Sequence, residues 1–441
     1  MRYLTAFVIS LLLPFHALAQ PEQLKPVKHI IVIYLENHSF DNLFGTFPGA
    51  DGIEQAGDKA LQTDADGKPY VVLPHVMNGK EVDKRFPKDL QNKPFLISRY
   101  VPENQKTGDL VHRFYQLIAQ INGGRMDRFA NISNAGGLAM GYYENKHSPL
   151  WKYAREFTLA DHFFTAGFGG SFLNHVMLIC ACVPQYDKAP ASIRVKLDDK
   201  GKLIHDGAVT PDGYAINTIQ PFSWPYDRRV EDERRRLPLQ KMPTIGERLN
   251  AKHIDWAWYS GGWNDAVAGN PSKLFEYHHQ PFTYFADYAH GTKERWLHLK
   301  DEADFIRAID TGKLPPVAFY KPEGEFNLHP GYAELQTGEK HIFDLIGRIQ
   351  RSKLWKNSLI IVTFDDAGGY YDHEPPPAGD RFGPGERVPT LIISPFAKRG
   401  FVDHTVYSTI SILKLIEDKY GLKPLTERDA AAPDMLNALK P

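Results

Sequence analysis

Short runs of apolar residues with abrupt polar ends punctuate the chain: VKHIIVIYL (27–35), DWAWYS (255–260), PPVAFY (315–320), SLIIVTF (358–364) and VPTLIISPF (388–396). They are rich in β-branched and aromatic residues. Their near-continuous hydrophobicity predicts strands buried on both faces, as in a parallel sheet. Other segments carry apolar residues at helical spacing: TIGERLNAK (244–252), KHIFDLIGRIQRSKLW (340–355) and YSTISILKLIEDKYG (407–421), the last with Ser408 as a cap and Gly421 as a stop. Strands alternating with helices predict an α/β fold with a mostly parallel central sheet.

Residues 196–240 break this rhythm. KLDDKGKLIHDGAVTPDGYAIN predicts hairpins, and RRVEDERRRLPLQ predicts a solvated helix face, so the segment reads as a small subdomain inserted on the surface of the main domain. The C-terminal AAAPDMLNALKP reads as a tail, packed on the surface or frayed. At the other end, Arg2, an apolar stretch from Leu4 to Leu13 and Ala17-Leu18-Ala19 form the pattern of a secretory signal peptide. The stretch is short of the ~20 residues that span a bilayer. Residues 1–19 are therefore expected to be removed. The mature chain, 20–441, is expected to be periplasmic or secreted, with no transmembrane anchor. The two cysteines, Cys180 and Cys182, stand two positions apart, a spacing poorly placed for a bridge, and read as two small buried residues.

Composition narrows the function classes. Hydrophobic residues make up 42% of the 441 and charged residues 24%, which is globular, and the formal charge is −1. Without a basic field, nucleic acid is not the main partner.

In an open α/β sheet, ligands gather at the carboxyl ends of the strands. Here two strands end in acids: YLENHSFDNLFG places Glu36 and Asn37 after Leu35, and TFDDAGG places Asp365 and Asp366 after Phe364. Adjacent carboxylates repel, and burying them is costly unless a cation compensates. A metal that neutralises three carboxylates and an amide oxygen accounts for the pattern; the alternative is that each pair merely caps a turn. Ser171 follows a glycine-rich turn, FGGS, and opens an apolar helical stretch, so it stands either as an ordinary cap or where a helix N-terminus favours an anion. His112, His278, His279, His329 and His373 lie among aromatic, Gly or Pro residues, where they can bind a phosphoryl group or protonate a leaving oxygen.

Taken together, ENHSFDNLFG, DLVHRFYQ with NGGRMDRF, FGGSFLNH, HHQPFTYF, NLHPGY, TFDDAGGYYDH and RVPTLIISPFAKRGFVDHT resemble the signature blocks of one family. It is the bacterial phosphoesterase family of respiratory-burst-inhibiting acid phosphatases and nonspecific phospholipases C, within the alkaline-phosphatase-like superfamily. The blocks run in family order from about residue 28 to about residue 420. The resemblance implies a sheet sandwiched by helices and metal-dependent phosphoryl transfer. It assigns Glu36, Asn37, Ser171, Asp365 and Asp366 to the metal, and Ser171 to the nucleophile. His112, His279 and His329 are then catalytic around the phosphate, with Asn37, His278 and His373 binding substrate. Ser171 in GGS and the DDAGG acid block lie nearer the acid phosphatase branch than the phospholipase branch.

The implied activity is hydrolysis of phosphate monoesters through a phosphoserine. The rival readings are a phospholipase C acting on phospholipid head groups, and a non-catalytic periplasmic protein that binds phosphate esters or metal. The cofactor is a divalent ion; an oxygen-rich set suits Ca, Mg or Mn, and Zn or Fe also fit.

Overall fold

The computed structural model describes residues 20–441. The leader expected over residues 1–19 lies outside these. Among the described residues the principal sheet has eight strands. In chain order they are β1 (His29–Leu35), β2 (Thr158–Ala160), β3 (Trp256–Ser260), β4 (Leu299–Asp301), β5 (Val317–Lys321), β6 (Ser358–Phe364), β7 (Thr390–Ile393) and β8 (Phe401–Asp403). Across the sheet they run β4-β3-β5-β1-β6-β7-β2-β8. All pairings are parallel except those of β7, which runs antiparallel to both β6 and β2. Every residue of β6 is buried, so both faces of the sheet centre are covered. The fold is α/β with a mostly parallel sheet, as the alternation of patterns predicts.

The helical patterns fold as helices. Thr244 caps Ile245–Ala251 in a capping box, and Leu335–Arg351 is the longest helix among the described residues. Ser408 accepts a hydrogen bond from Ile410 N and caps Thr409–Tyr420, which Gly421 ends in a left-handed conformation. No helix among the described residues is long and apolar enough to cross a membrane.

Two expectations need correction. The charge run 228–236 is no helix: it yields one 3₁₀ turn, Glu233–Arg235. Its ion pairs, Asp227–Arg229 at 2.7 Å and Asp232–Arg234 at 3.0 Å, join residues two apart, the spacing of turns and not of a helix face. The two cysteines are bonded to each other. Ala181 between them adopts φ +49°, folding the chain back so that the Cα atoms of Cys180 and Cys182 are 5.1 Å apart, within bridging range. The hairpin expected in 196–240 is present, pairing Lys196–Leu197 with Leu203–His205. The C-terminal tail is packed, with Lys398 N donating to Ala438 O (3.0 Å) and Lys440 N to Phe396 O (2.8 Å).

Candidate active site

Strand register builds the site. Leu35 pairs with Phe364, and Asp365 N donates to Leu35 O (3.0 Å), so Glu36-Asn37 and Asp365-Asp366 leave the sheet side by side. On the other side of β1, Ile33 pairs with Tyr320, which brings Lys321 to the same carboxyl edge. Glu36, Asn37, Asp365 and Asp366 are all buried. Asn37 sits at φ +66°, a left-handed conformation that Asn tolerates better than most residues. Gly368, at φ +64°, makes that turn possible, because a Cβ there would lie 2.3 Å from Asn37 O.

Ser171 is the first residue of the helix Ser171–Cys180 and faces the acids. Its hydroxyl donates to Asp366 Oδ2 (3.1 Å) and lies 3.4 Å from Asn37 Oδ1. Gly170 packs against His112: a Cβ on it would meet His112 O at 2.9 Å. His112 donates from Nδ1 to Leu110 O (2.6 Å), and His329 from Nδ1 to Pro330 O (2.7 Å), so both rings turn Nε2 toward Asn37 and the acids. His279 pairs through Nε2 with Glu36 Oε1 and stacks on His175. A cleft of about 360 Å³ opens over this group, lined by Glu36, His112, Ser171, Glu276, His278 and His329. Asn217 and Thr218, from the segment read as a surface insertion, reach the same wall.

His373 does not join them. Its ring is buried with Nδ1 2.7 Å from Asp41 Oδ2 and Nε2 3.2 Å from Asp51 Oδ1, and it does not line the cleft. Its placement with the substrate-binding residues is therefore corrected: both ring nitrogens serve a charge cluster built around Arg387. Two residues of the site escaped the sequence reading. Lys321, fully buried, places Nζ 2.7 Å from Glu36 Oε1, a close ion pair, and 3.3 Å from Asp365 Oδ2. His175, one helical turn after Ser171, forms the site's back wall: its Nδ1 donates to Ser171 O (2.7 Å) and lies 3.5 Å from Asp365 Oδ2. The four-residue spacing from Ser171 was the available signal for His175; for Lys321 it was a lone amine ending a buried strand.

The electrostatics are short of positive charge. Burial, then the charges of Glu36 and Asp366, pushes Asp365 well above the carboxylate range even against Lys321; burial raises Asp366 as well. Glu36 is held well below that range because Lys321, His279 and His329 outweigh its burial. Burial opposes the charge of His112, yet Asp366 and Asp109 raise its pKa overall, whereas burial lowers His278 and His279. The Asn37 amide reports the same deficit. With its oxygen toward Ser171, its amine meets His112 Nε2 (2.9 Å). Turned over, the amine serves Glu36 Oε2 (3.2 Å) and Asp365 Oδ1 (3.3 Å), and the oxygen accepts from His112 and His329. Hydrogen bonds alone favour the second orientation; a cation among the carboxylates favours the first. The donor chemistry therefore fits a divalent ion: carboxylates, an amide and a hydroxyl converge, and Glu36, His175 and Asp365 bring donor atoms within 4.8 Å of one another.

A family model, the Phosphoesterase family, matches residues 27–423. The chain belongs to the Phosphoesterase family. It is a phosphoester hydrolase. It is 23% identical to Phospholipase C B of Mycobacterium tuberculosis over 456 residues, covering 94% of this chain and 78% of that protein. It is 23% identical to the non-hemolytic phospholipase C of Pseudomonas aeruginosa, over 90% of this chain and 54% of that protein. It is 30% identical to the non-specific phospholipase C6 of Arabidopsis thaliana over 224 residues, covering 43% of this chain and 39% of that protein. Among solved structures it is similar to a protein in the alkaline phosphatase superfamily from Vibrio parahaemolyticus, with a TM-score of 0.37 and 11% identity, over 86% of this chain and 78% of that one.

Proposed function

We propose that this phosphoesterase hydrolyses phosphate monoesters through a phosphoserine on Ser171. The observation that carries the reading is the Ser171 hydroxyl: it opens a helix, hydrogen-bonds Asp366, and stands at the floor of a cleft ringed by His112, His278 and His329. A helix N-terminus and several imidazoles suit a doubly charged phosphate. Glu36, Asn37, Ser171, Asp365 and Asp366 would hold the divalent ion. When bound, it supplies a Lewis acid that lowers the pKa of the serine hydroxyl and offsets phosphate charge.

The chain's own residues do the rest. Helix N–H groups and His329 hold the phosphoryl oxygens with phosphorus above Ser171 Oγ. That oxygen, its proton directed at Asp366, attacks phosphorus as the bond to the leaving oxygen breaks. His329, whose Nε2 faces the cleft, gives the leaving oxygen its proton; His112 accepts the Asn37 amine at Nε2 and so positions it, and His279 keeps Glu36 in place. Water then attacks the phosphoserine, giving a proton to the histidine, and as the P–O bond to Ser171 breaks Asp366 returns the serine proton, freeing phosphate and the Ser171 hydroxyl.

The names of the relatives favour a second reading, in which the same residues cut phosphodiester head groups from phospholipids. Turnover of p-nitrophenyl phosphate against p-nitrophenyl phosphorylcholine, before and after chelation, separates the two. Preferred monoester turnover that chelation abolishes supports the first reading. Preferred turnover of the choline diester moves the protein to the second. Activity that survives chelation on either substrate overturns the assignment of the metal. A chain still carrying metal that turns over neither ester would act as a periplasmic binder.

A further inference from the structure

Beside β4, the edge strand of the sheet, lies a cavity of about 480 Å³ that the chemistry at Ser171 does not use. The helix Trp263–Val267, which follows β3, lines it with Trp263 and Val267, and the helix Lys293–His298, which leads into β4, lines it with Arg295 and Trp296. Arg295 is only 6% exposed, yet its Nη1 and Nη2 are buried without a hydrogen-bond partner, and it joins no ion pair among the described residues. By contrast Arg387, also buried, is met by Asp372 and Asp41. The Trp263 ring centre lies 4.8 Å from the Arg295 guanidinium carbon, and a cation–π contact offsets only part of the cost of burying a charge. The other charges that line the cavity are engaged elsewhere. Asp304 pairs with Arg307 (3.2 Å), and the Lys300 amine donates to Trp296 O (2.7 Å).

A buried guanidinium that nothing holds is poised for an anion. No hydrogen bond fixes its head, so a turn of the side chain carries Nη1 and Nη2 into the cavity. Arg295 and Lys300 against Asp304 leave one net positive charge, which suits a monoanion better than a doubly charged phosphate. Two guanidinium nitrogens match two oxygens of one phosphate group. The mouth is apolar and open: Trp296 is 73% exposed, Val267 is exposed too, and Trp224 donates from Nε1 to Val267 O (2.9 Å). Indole suits a ligand that is polar at one end and apolar at the other. We infer that this cavity is an accessory site, separate from the cleft at Ser171, that takes a phosphodiester group on Arg295, with the Trp296 indole against the part of the ligand that leaves the cavity. The diester can come from a phospholipid head group or from a soluble glycerophosphodiester. The inference rests neither on the nucleophile nor on a metal.

The test measures binding of the full mature chain to two probes: vesicles of phosphatidylglycerol, by flotation, and glycerophosphoglycerol, by calorimetry. Arg295→Met should fold, because its guanidinium has no partner to lose, and should weaken binding at least about tenfold. Trp296→Ala, at an exposed position, should weaken it about threefold or more. Both variants should keep turnover of the p-nitrophenyl ester that the wild type prefers within about twofold, because neither residue lines the cleft at Ser171. Arginine-dependent binding of vesicles alone names a lipid as the source, of glycerophosphoglycerol alone a soluble ester, and of both the diester itself; each upholds the inference. Binding of neither probe, or binding that Arg295→Met weakens less than tenfold, would overturn it. A larger loss of turnover in Arg295→Met would overturn it as well, since the arginine would then serve the cleft. Should Arg295→Met not fold, Trp296→Ala decides, and unchanged binding of both probes refutes the inference.

Discussion

Replacing Arg387 by Met should destabilise the protein more than any exposed substitution. Arg387 is buried and its guanidinium bridges a short helix and a loop. Nε donates to Asp372 Oδ1 (2.9 Å) and Nη2 to Asp41 Oδ1 (3.1 Å), while Nη1 serves the carbonyls of Asp51 (2.9 Å) and Asp161 (3.1 Å). Asp41 lies in the short helix Phe40–Phe44 that follows Glu36-Asn37, and Asp372 in the loop that follows Asp365-Asp366. The arginine therefore ties together the two segments that leave the sheet at the site. Removing one partner of a buried ion pair costs about 3–5 kcal/mol, and each stranded carbonyl adds about 1 kcal/mol. The His373 imidazole stays on Asp41 and offsets part of this, so about 4 kcal/mol is expected at pH 7.5. Burial raises Asp372, to about 6, even with Arg387 beside it. Without the arginine it will protonate more readily still, so the cost should shrink at pH 5, where the stranded acid is neutral. Urea unfolding of both proteins at the two pH values reads this directly. A loss below about 1 kcal/mol at pH 7.5, or an equal loss at both, would refute the reasoning.

Three further outcomes follow from the same geometry. Gly368→Ala should cost about 1–3 kcal/mol and lower kcat, because the Cβ meets Asn37 O at 2.3 Å, whereas Gly421→Ala, with a similar φ of +58° and nothing within 4 Å, should show backbone strain alone; equal costs would refute the clash. Burial opposes the charge of His373, but Asp41 and Asp372 raise its pKa from 6.5 to about 9. The stability it contributes, at most roughly 3 kcal/mol, is complete below pH 6.5 and lost as pH rises through 9, so His373→Gln should flatten the alkaline limb of the stability profile, and an unchanged limb would count against it. Lastly, thiol titration of the denatured, unreduced protein should find no free cysteine, since Cys180 and Cys182 are paired; a free thiol would contradict the pairing.

The long strands were legible because burial on both faces leaves a sequence no polar positions: β1 and β6 read as strands from their composition alone. The three-residue strands β2, β4 and β8 were not, since a run that short carries no period. The antiparallel direction of β7 depends on where its neighbours lie, which no local pattern records. RRVEDERRR was misread because a dense charge run specifies exposure but not helix; with only Val230 apolar, nothing in it favours a helical face. The cysteine pair was misread because spacing implies a distance only for an assumed backbone, and Ala181 adopts a left-handed one.

Within the site, the acids were legible because an ionic group ending a buried strand is anomalous by itself. Lys321 obeys the same rule, yet a lone lysine at a strand end reads as a surface residue until the β5–β1 register is known. Histidines chosen for their Gly, Pro and aromatic neighbours were sorted only by the fold. The same neighbourhood describes His329, which lines the cleft, and His373, which sits in the Arg387 cluster.

The claim at the centre of the account is that Ser171 carries the phosphoryl group. The protein, quenched in acid during turnover of p-nitrophenyl phosphate and digested, should yield a phosphorylated peptide with the modification on Ser171. Ser171→Ala, folded and binding metal, should lose at least about a thousandfold in kcat and show no such peptide. An Ala variant within tenfold of the wild type, or a phosphoryl group trapped on another residue, would contradict it.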